Sequence, residues 1–385
     1  MPMNELPTTE IALSKINLPR KSAPLVFVYC LNIIAAFAVV LLHTTLPVYQ
    51  PVPTIRWSEM VVLQAIAICA TPLFFMISGM NLLGYRERYS TKVFFKKRFL
   101  RVGRALLAGS IICYLLYSMF PLSFYGAESY AESFGFRDFV ERFLMNRIND
   151  TYWFLYSIIY LYVLTPMLSL IVGNRRCLEY ILALNMLVAV CFPFLTVFGL
   201  NPEYMQNLFG WPMFTSLAMM YYLAGYYFHT YWKPIRRQGL IAGAIYVACA
   251  VAMSLLGLWQ NRFGHVPESA GYNPFFVGIA SPFCVVESIA LFLLVQSMER
   301  WLQQLPERVM LWLKLISGAS LGTYLFQILV VNWIRPGVIS RVLNKLSAFP
   351  FLKAVAIYVS VAAAVMVGKW LMARAKRLWR SHTAN

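Results

Sequence analysis

The chain has 385 residues, of which 60% are hydrophobic and only 12% charged, and it carries a formal net charge of +18. That composition is too apolar for a water-soluble globule and calls for lipid as the solvent. The basic residues fall in short clusters between apolar runs of about 20 residues, the length that spans a bilayer, so the charge orients the chain and marks no nucleic-acid site.

Residues 1–24 are polar and hold Pro2, Pro7, Pro19 and Pro24, which reads as a cytoplasmic N-terminal segment. The apolar run that follows is too long for a signal-peptide core and lacks a small-residue cleavage pattern, so it is expected to remain as the first helix. Runs at 25–46, 60–83, 104–124, 152–172, 179–200, 211–231, 239–259, 275–298, 311–334 and 351–372 are each long enough to cross the membrane. The expected fold is all-α, a polytopic bundle of about ten transmembrane helices over residues 25–372, followed by a basic cytoplasmic tail at 373–385. With both ends inside, 24 of the 33 Lys and Arg lie on the cytoplasmic side. Four of the remaining nine crowd into one outer segment, as Arg335, Arg341, Lys345 and Lys353. Another outer segment, 125–151, carries Glu128, Glu132, Asp138, Glu141 and Asp150 among aromatic residues and reads as a surface lid.

The seven cysteines lie in or beside apolar runs with no CxxC and no Cys/His cluster, so they read as small buried hydrophobes and no metal site is expected. A GxSxG elbow, a Gly-rich phosphate loop and HExxH are equally absent. Ionisable and polar residues inside the spans therefore carry the functional reading, because each costs free energy in lipid.

Three places stand out. In the first helix, Tyr29, Asn32 and His43 interrupt VFVYCLNIIAAFAVVLLH at spacings of three and eleven residues, which puts them on one face along roughly 20 Å. His43 lies toward the outer leaflet, where a neutral imidazole can take a proton from a hydroxyl; an interhelical hydrogen bond is the plainer role for such a residue. The second place is the cytoplasmic run YRERYSTKVFFKKRFLRVGRALL, in which Lys97, Arg98, Arg101 and Arg104 offer a fork for phosphate oxygens or anchor the chain against anionic lipid. The third is Glu287 in the run 275–298, near Pro282, which is expected to bend its helix. That carboxylate either orients His43 or a substrate hydroxyl, or pairs with a neighbouring donor.

The stretch TPLFFMISGMNLLG at 71–84, followed by KKRFLRVGRALL, resembles the PLFFxxSG helix and the Arg-x-x-Arg motif of the acyltransferase-3 family, membrane enzymes that O-acylate bacterial surface polysaccharides. NIIAAFAVVLLH is similar to that family's first helix with its terminal His, TYWFLYSIIYLYVLTPML to its Trp-Phe-Leu segment, and SGASLGTYLFQILVV to its late Ser and Tyr motif. The likeness covers nearly the whole chain. It departs where the family carries Asp and Arg in the first helix, here Tyr29 and Asn32, and a late His, here Gln327.

The resemblance implies acetyl-coenzyme A as the acyl donor, held by Arg98 and Arg101 at the cytoplasmic face, with its pantetheine arm threading a continuous passage to His43. His43 would act as general base on a hydroxyl of a polysaccharide or lipid-linked sugar acceptor, with Asn32, Tyr324 or Gln327 as donors to the oxyanion and Trp153 and Ser320 beside the substrate. The implied setting is the bacterial inner membrane, with membrane lipid as its surroundings. Two readings from other classes stand beside this one. A transporter or flippase for a lipid-linked sugar would also need a polar interior, and an inactive scaffold of a polysaccharide-assembly complex would tolerate the altered motif positions.

Overall fold

Lipid offers no hydrogen-bond partner to a backbone N–H or C=O, so each apolar run can satisfy its own polar backbone only by coiling into a helix. A computed structural model describes residues 25–201, 216–267 and 270–382. Among these the chain is helical without a strand, and an isolated bridge between Phe124 and Trp333 is the nearest approach to one.

The larger helices are α1 (Val26–Thr44), α2 (Ile55–Ala67), α3 (Ala70–Leu82), α4 (Leu100–Met119), α5 (Phe136–Leu144), α6 (Trp153–Ile171) and α7 (Arg175–Met186). They continue as α8 (Leu217–Thr230), α9 (Gln238–Gln260), α10 (Pro282–Ser297), α11 (Glu307–Val331), α12 (Val338–Leu346) and α13 (Pro350–His382). Eight helical stretches are long and apolar enough to cross a membrane, α2 and α3 together forming one of them. The two other expected spans are α10, with 16 residues, and α8, whose 14 described residues follow the undescribed 202–215. The expected N-terminal segment 1–24 lies outside the described residues.

Two local expectations change. Pro282 does not bend a helix but begins α10, where its missing N–H would have had no intrahelical acceptor in any case; the preceding stretch from 275 is turn. The basic tail is not a separate segment as far as His382, because Ala373, Arg374, Lys376 and Leu378 are good helix formers with no breaker among them, and α13 simply runs on.

α1 is the central element, packed against α2, α3, α10, α11 and α13. Its inner end is fixed by Glu299, whose two carboxylate oxygens accept from the backbone N–H groups of Val26 (3.0 Å) and Phe27 (2.7 Å). A carboxylate there satisfies two otherwise unpaired donors and complements the positive end of the helix dipole. The outer end is fixed by Gln64 of α2, whose amide donates to Leu42 O (3.0 Å) and Thr45 Oγ1 (2.9 Å). Both ends of the His43 helix are therefore tied to neighbours.

The SG of PLFFMISG has a packing reason. A Cβ at Gly79 would lie 1.7 Å from Tyr222 O, and one at Gly225 would lie 2.0 Å from Met76 O, so α3 and α8 meet backbone to backbone through two glycines. Such close approach is how helices gain contact in a solvent as apolar as themselves.

Candidate active site

His43 lies in the last turn of α1 and faces a cavity of about 740 Å³. Its Nδ1 is 2.5 Å from the side-chain amide nitrogen of Gln327 on α11, while Gln327 Oε1 has no partner among the described residues. The opposite edge of the ring, with Nε2, is the one left for a ligand. The other walls bring Gln64, Thr71, Tyr117, Tyr130, Arg142 and Trp153 to the same space, with Asn149, Asp150, Tyr324 and Asn332.

Much of this outer cavity is built by the 125–151 segment, which forms a wall through Tyr125, Ser129, Tyr130, Arg142, Arg147 and Asn149. Asp138 on α5 holds it together: it accepts from Arg142 Nε at 2.9 Å, from Tyr114 OH at 2.8 Å and from Ser133 Oγ at 3.0 Å. Burial alone would push this carboxyl up, but the donors from Arg142, Tyr114 and Ser133 outweigh it and hold the carboxyl below the usual carboxylate range. The Arg142 guanidinium then sits 4.1 Å over the Tyr130 ring, a cation–π contact that gives the wall a flat aromatic and cationic surface.

A second cavity of about 230 Å³ lies on the inner side and is lined by Asn32, Ser78, Arg98, Arg101, Ser317 and Ser320, with Tyr162, Phe154 and Tyr324. Asn32 Nδ2 donates to Ser317 Oγ (3.3 Å), and Ser320 Oγ donates to Asn32 O (3.3 Å), so the polar face of α1 is stitched to α11. Arg98 falls in a π-helical turn, Phe95–Phe99, just ahead of α4. Such turns re-aim side chains and recur at functional sites. Neither Arg98 nor Arg101 pairs with a carboxylate among the described residues.

Among the described residues, Tyr324 alone lines both cavities. Its hydroxyl donates to Thr151 O and its ring packs edge-on to Phe154 at 5.6 Å. The expected continuous passage is thus two chambers that meet at Tyr324. Trp153 borders the outer chamber and packs beside Phe75 at 6.5 Å.

The structure does not bring every expected residue to these chambers. Glu287 lines neither; it is fully buried, both carboxylate oxygens lack a hydrogen-bond partner among the described residues, and its electrostatic neighbours are Cys69, Cys249, Cys284, Tyr221 and Tyr246. These neighbours lie on α9 (Cys249, Tyr246), on α8 (Tyr221), on α10 itself (Cys284) and just ahead of α3 (Cys69), and none of them is on α1. Lys97 lies instead 5.1 Å over the Tyr89 ring. Arg104 is exposed and lines neither chamber, since at about 100° per residue it is roughly 120° around the helix from Arg98. Tyr29, too, is outside both. Gln64, Arg142 and Tyr130 were not expected. Gln64 carried a usable signal, a polar amide inside an apolar run, and Arg142 carried another, its spacing of four from Asp138 on the amphipathic helix α5, whereas Tyr130 sits in the turn Glu128–Tyr130, whose folding no periodicity reports.

An all-α multi-pass bundle enclosing two polar chambers, one with an imidazole and one with paired guanidiniums, defines a membrane-embedded protein. The acyltransferase domain model of the acyltransferase-3 family matches residues 27–374, and the chain belongs to that family. No curated protein and no solved structure matches the chain.

Proposed function

We propose that this acyltransferase moves an acetyl group from acetyl-coenzyme A to a hydroxyl of a cell-surface or lipid-linked polysaccharide, across the bacterial inner membrane. The observation that carries the reading is the placement of His43 and of Arg98 with Arg101 in two chambers that share Tyr324. Guanidiniums suit the phosphates of a coenzyme arriving from the cytoplasm, and the charge asymmetry puts them on that side. The inner chamber has room for a slender pantetheine arm, not for the whole donor. The outer chamber, with Trp153, Tyr130, Asn149 and Asn332 on its walls, has the flat aromatic and hydrogen-bonding character that a sugar needs.

In the reaction, the sugar hydroxyl gives its proton to His43 Nε2 as its oxygen attacks the thioester carbonyl. Basic character at Nε2 requires a proton on Nδ1, and Gln327 Oε1 accepts that proton when the carboxamide is turned about its last bond. The tetrahedral oxyanion collapses with cleavage of the carbon–sulfur bond, and the thiolate takes the proton back from His43. Tyr324 must swing off Thr151 for the thioester to pass, and its freed hydroxyl then becomes a donor to the oxyanion. Asn32, buttressed by Ser317 and Ser320, belongs to the donor's path rather than to the reacting atoms. Transfer is direct: among the described residues the side chain hydrogen-bonded to the His43 ring is the Gln327 amide, which is no nucleophile.

Inside-out membrane vesicles supplied with acetyl-labelled donor test the reading. Label on the glycan is expected. Label found only as free acetate, or none released at all, counts against it.

A further inference from the structure

We propose that the groove between α11, α12 and α13 holds the hydrocarbon chain of the acyl acceptor, a lipid phosphate with a chain longer than one leaflet, which is the chemistry of a polyprenyl phosphate carrying the glycan. This rests on the acyltransferase reading above and narrows its acceptor to a lipid-linked one.

The groove has a volume of about 910 Å³. α11 contributes Phe326, Leu329 and Val330, the segment just after it contributes Trp333, and α13 contributes Ile357, Val361 and Val365. Along α13 it runs from Ala356 to Met372, which at 1.5 Å per residue is about 24 Å. A single leaflet supplies only about 15 Å of the roughly 30 Å hydrocarbon core, so an ordinary acyl chain would leave part of the groove unfilled.

The outer end is roofed by α12. Val342, Leu343 and Leu346 line the groove, while Arg341 and Lys345 on the same helix are exposed. This is the amphipathic pattern of a helix lying in the membrane interface, apolar side down and cationic side up. Arg335, Arg341 and Lys345 have no carboxylate partner among the described residues. They depart from the inside bias of the rest of the chain, and an anion at the outer surface gives them a function.

The groove also adjoins the His43 chamber. Tyr125 and Asn332 line the chamber, whereas the next residues along each strand of chain, Phe124 and Trp333, line the groove. Tyr125 N–H donates to Asn332 O at 2.8 Å, and the Phe124 and Trp333 rings meet edge to face at 5.2 Å. A single strap therefore separates the two spaces. A lipid with its chain in the groove and its phosphate against Arg341 and Lys345 would place the first sugars at the rim of the His43 chamber.

The test uses the full-length protein in nanodiscs of neutral lipid, without acyl donor, and undecaprenyl phosphate bearing a photoreactive group in its chain. Labelling should fall on α11 and α13 and be competed far better by undecaprenyl phosphate than by undecaprenol or phosphatidylglycerol. Arg341→Ala with Lys345→Ala should weaken binding about 30-fold, on the order of a factor of five for each cation near the surface. Ala364→Trp, a change on the groove side of α13, should block labelling while leaving the protein in the membrane. Equal competition by phosphatidylglycerol, or labelling indifferent to these variants, would reduce the groove to a berth for ordinary lipid and overturn the proposal. Disulfide-linked dimers formed by Ala364→Cys would give the groove to a second copy and overturn it as well. Binding without any acyl transfer on adding donor would uphold the groove and sink the acyltransferase reading instead.

Discussion

Gln327→Leu isolates the contribution of the group that orients His43. Gln327 is 0% exposed and its amide nitrogen lies 2.5 Å from His43 Nδ1, so leucine fills similar space and removes only the polar contact. An imidazole nitrogen left unpaired in a buried setting costs about 1–3 kcal/mol, and a ring free to rotate presents Nε2 to the acceptor less often. If that energy is lost from the transition state alone, the rate falls about 5- to 150-fold. Because Arg98 and Arg101 lie in the other chamber, KM for the donor should stay as it is. Steady-state release of free coenzyme A at saturating acceptor measures both. An unchanged kcat would refute the orienting role, and a raised donor KM at constant kcat would show that the two chambers are not divided as described.

Arg98→Ala with Arg101→Ala should raise KM for the donor by at least about tenfold, the value of losing one charge-assisted hydrogen bond to phosphate, with kcat less affected; initial rates over a donor series decide it. Gly79→Ala drives a methyl into Tyr222 O and should destabilise the α3–α8 contact by about 1–3 kcal/mol, read as a lowered Tm in detergent, whereas Gly103→Ala, in a helix with open space around it, should leave Tm unchanged or raise it. Asp138 gives a pH dependence whose sign follows from its lowered titration. A carboxyl depressed in the folded state stabilises the 125–151 wall above its unfolded value of about 4 and loses that contribution as pH falls through the folded value. Limited proteolysis of the wall should therefore accelerate on acidification below about pH 4, and Asp138→Asn should be equally susceptible at neutral pH and flat below it.

The membrane fold was legible because its signal is collective: an apolar run of about 20 residues reads as a helix whatever its neighbours do. α10 shows the limit of that signal, since apolar residues at 275–281 extended the run but a proline at the first helical position set the start. At the site, the spacing of Tyr29, Asn32 and His43 predicts one shared face, because periodicity along one helix is a local property; Asn32 and His43 each line a chamber and Tyr29 lines neither. Which chamber each entered was not local. It depended on Tyr324, contributed from nearly 300 residues away, and on whether its ring filled the gap. Glu287 misled for a related reason: the cost of a buried carboxylate signals that it matters somewhere, and says nothing of which neighbours it meets. Arg98, Arg101 and Arg104 share one repeat of spacing, so only the register of the helix separates the two that reach the inner chamber from the one that does not. In the 125–151 wall the Asp138–Arg142 pair follows a helical spacing of four on α5, but the approach of Tyr130 and Tyr114 from other elements is not local, and no period reports it.

The account stands on His43 as the proton acceptor in the outer chamber. Proton NMR of the cell-surface glycan from a strain expressing only His43→Ala, alongside immunodetection of the protein in its membranes, tests this most directly. Acetyl signals absent with the protein present at its normal level is the predicted result; acetyl signals of undiminished intensity would contradict it.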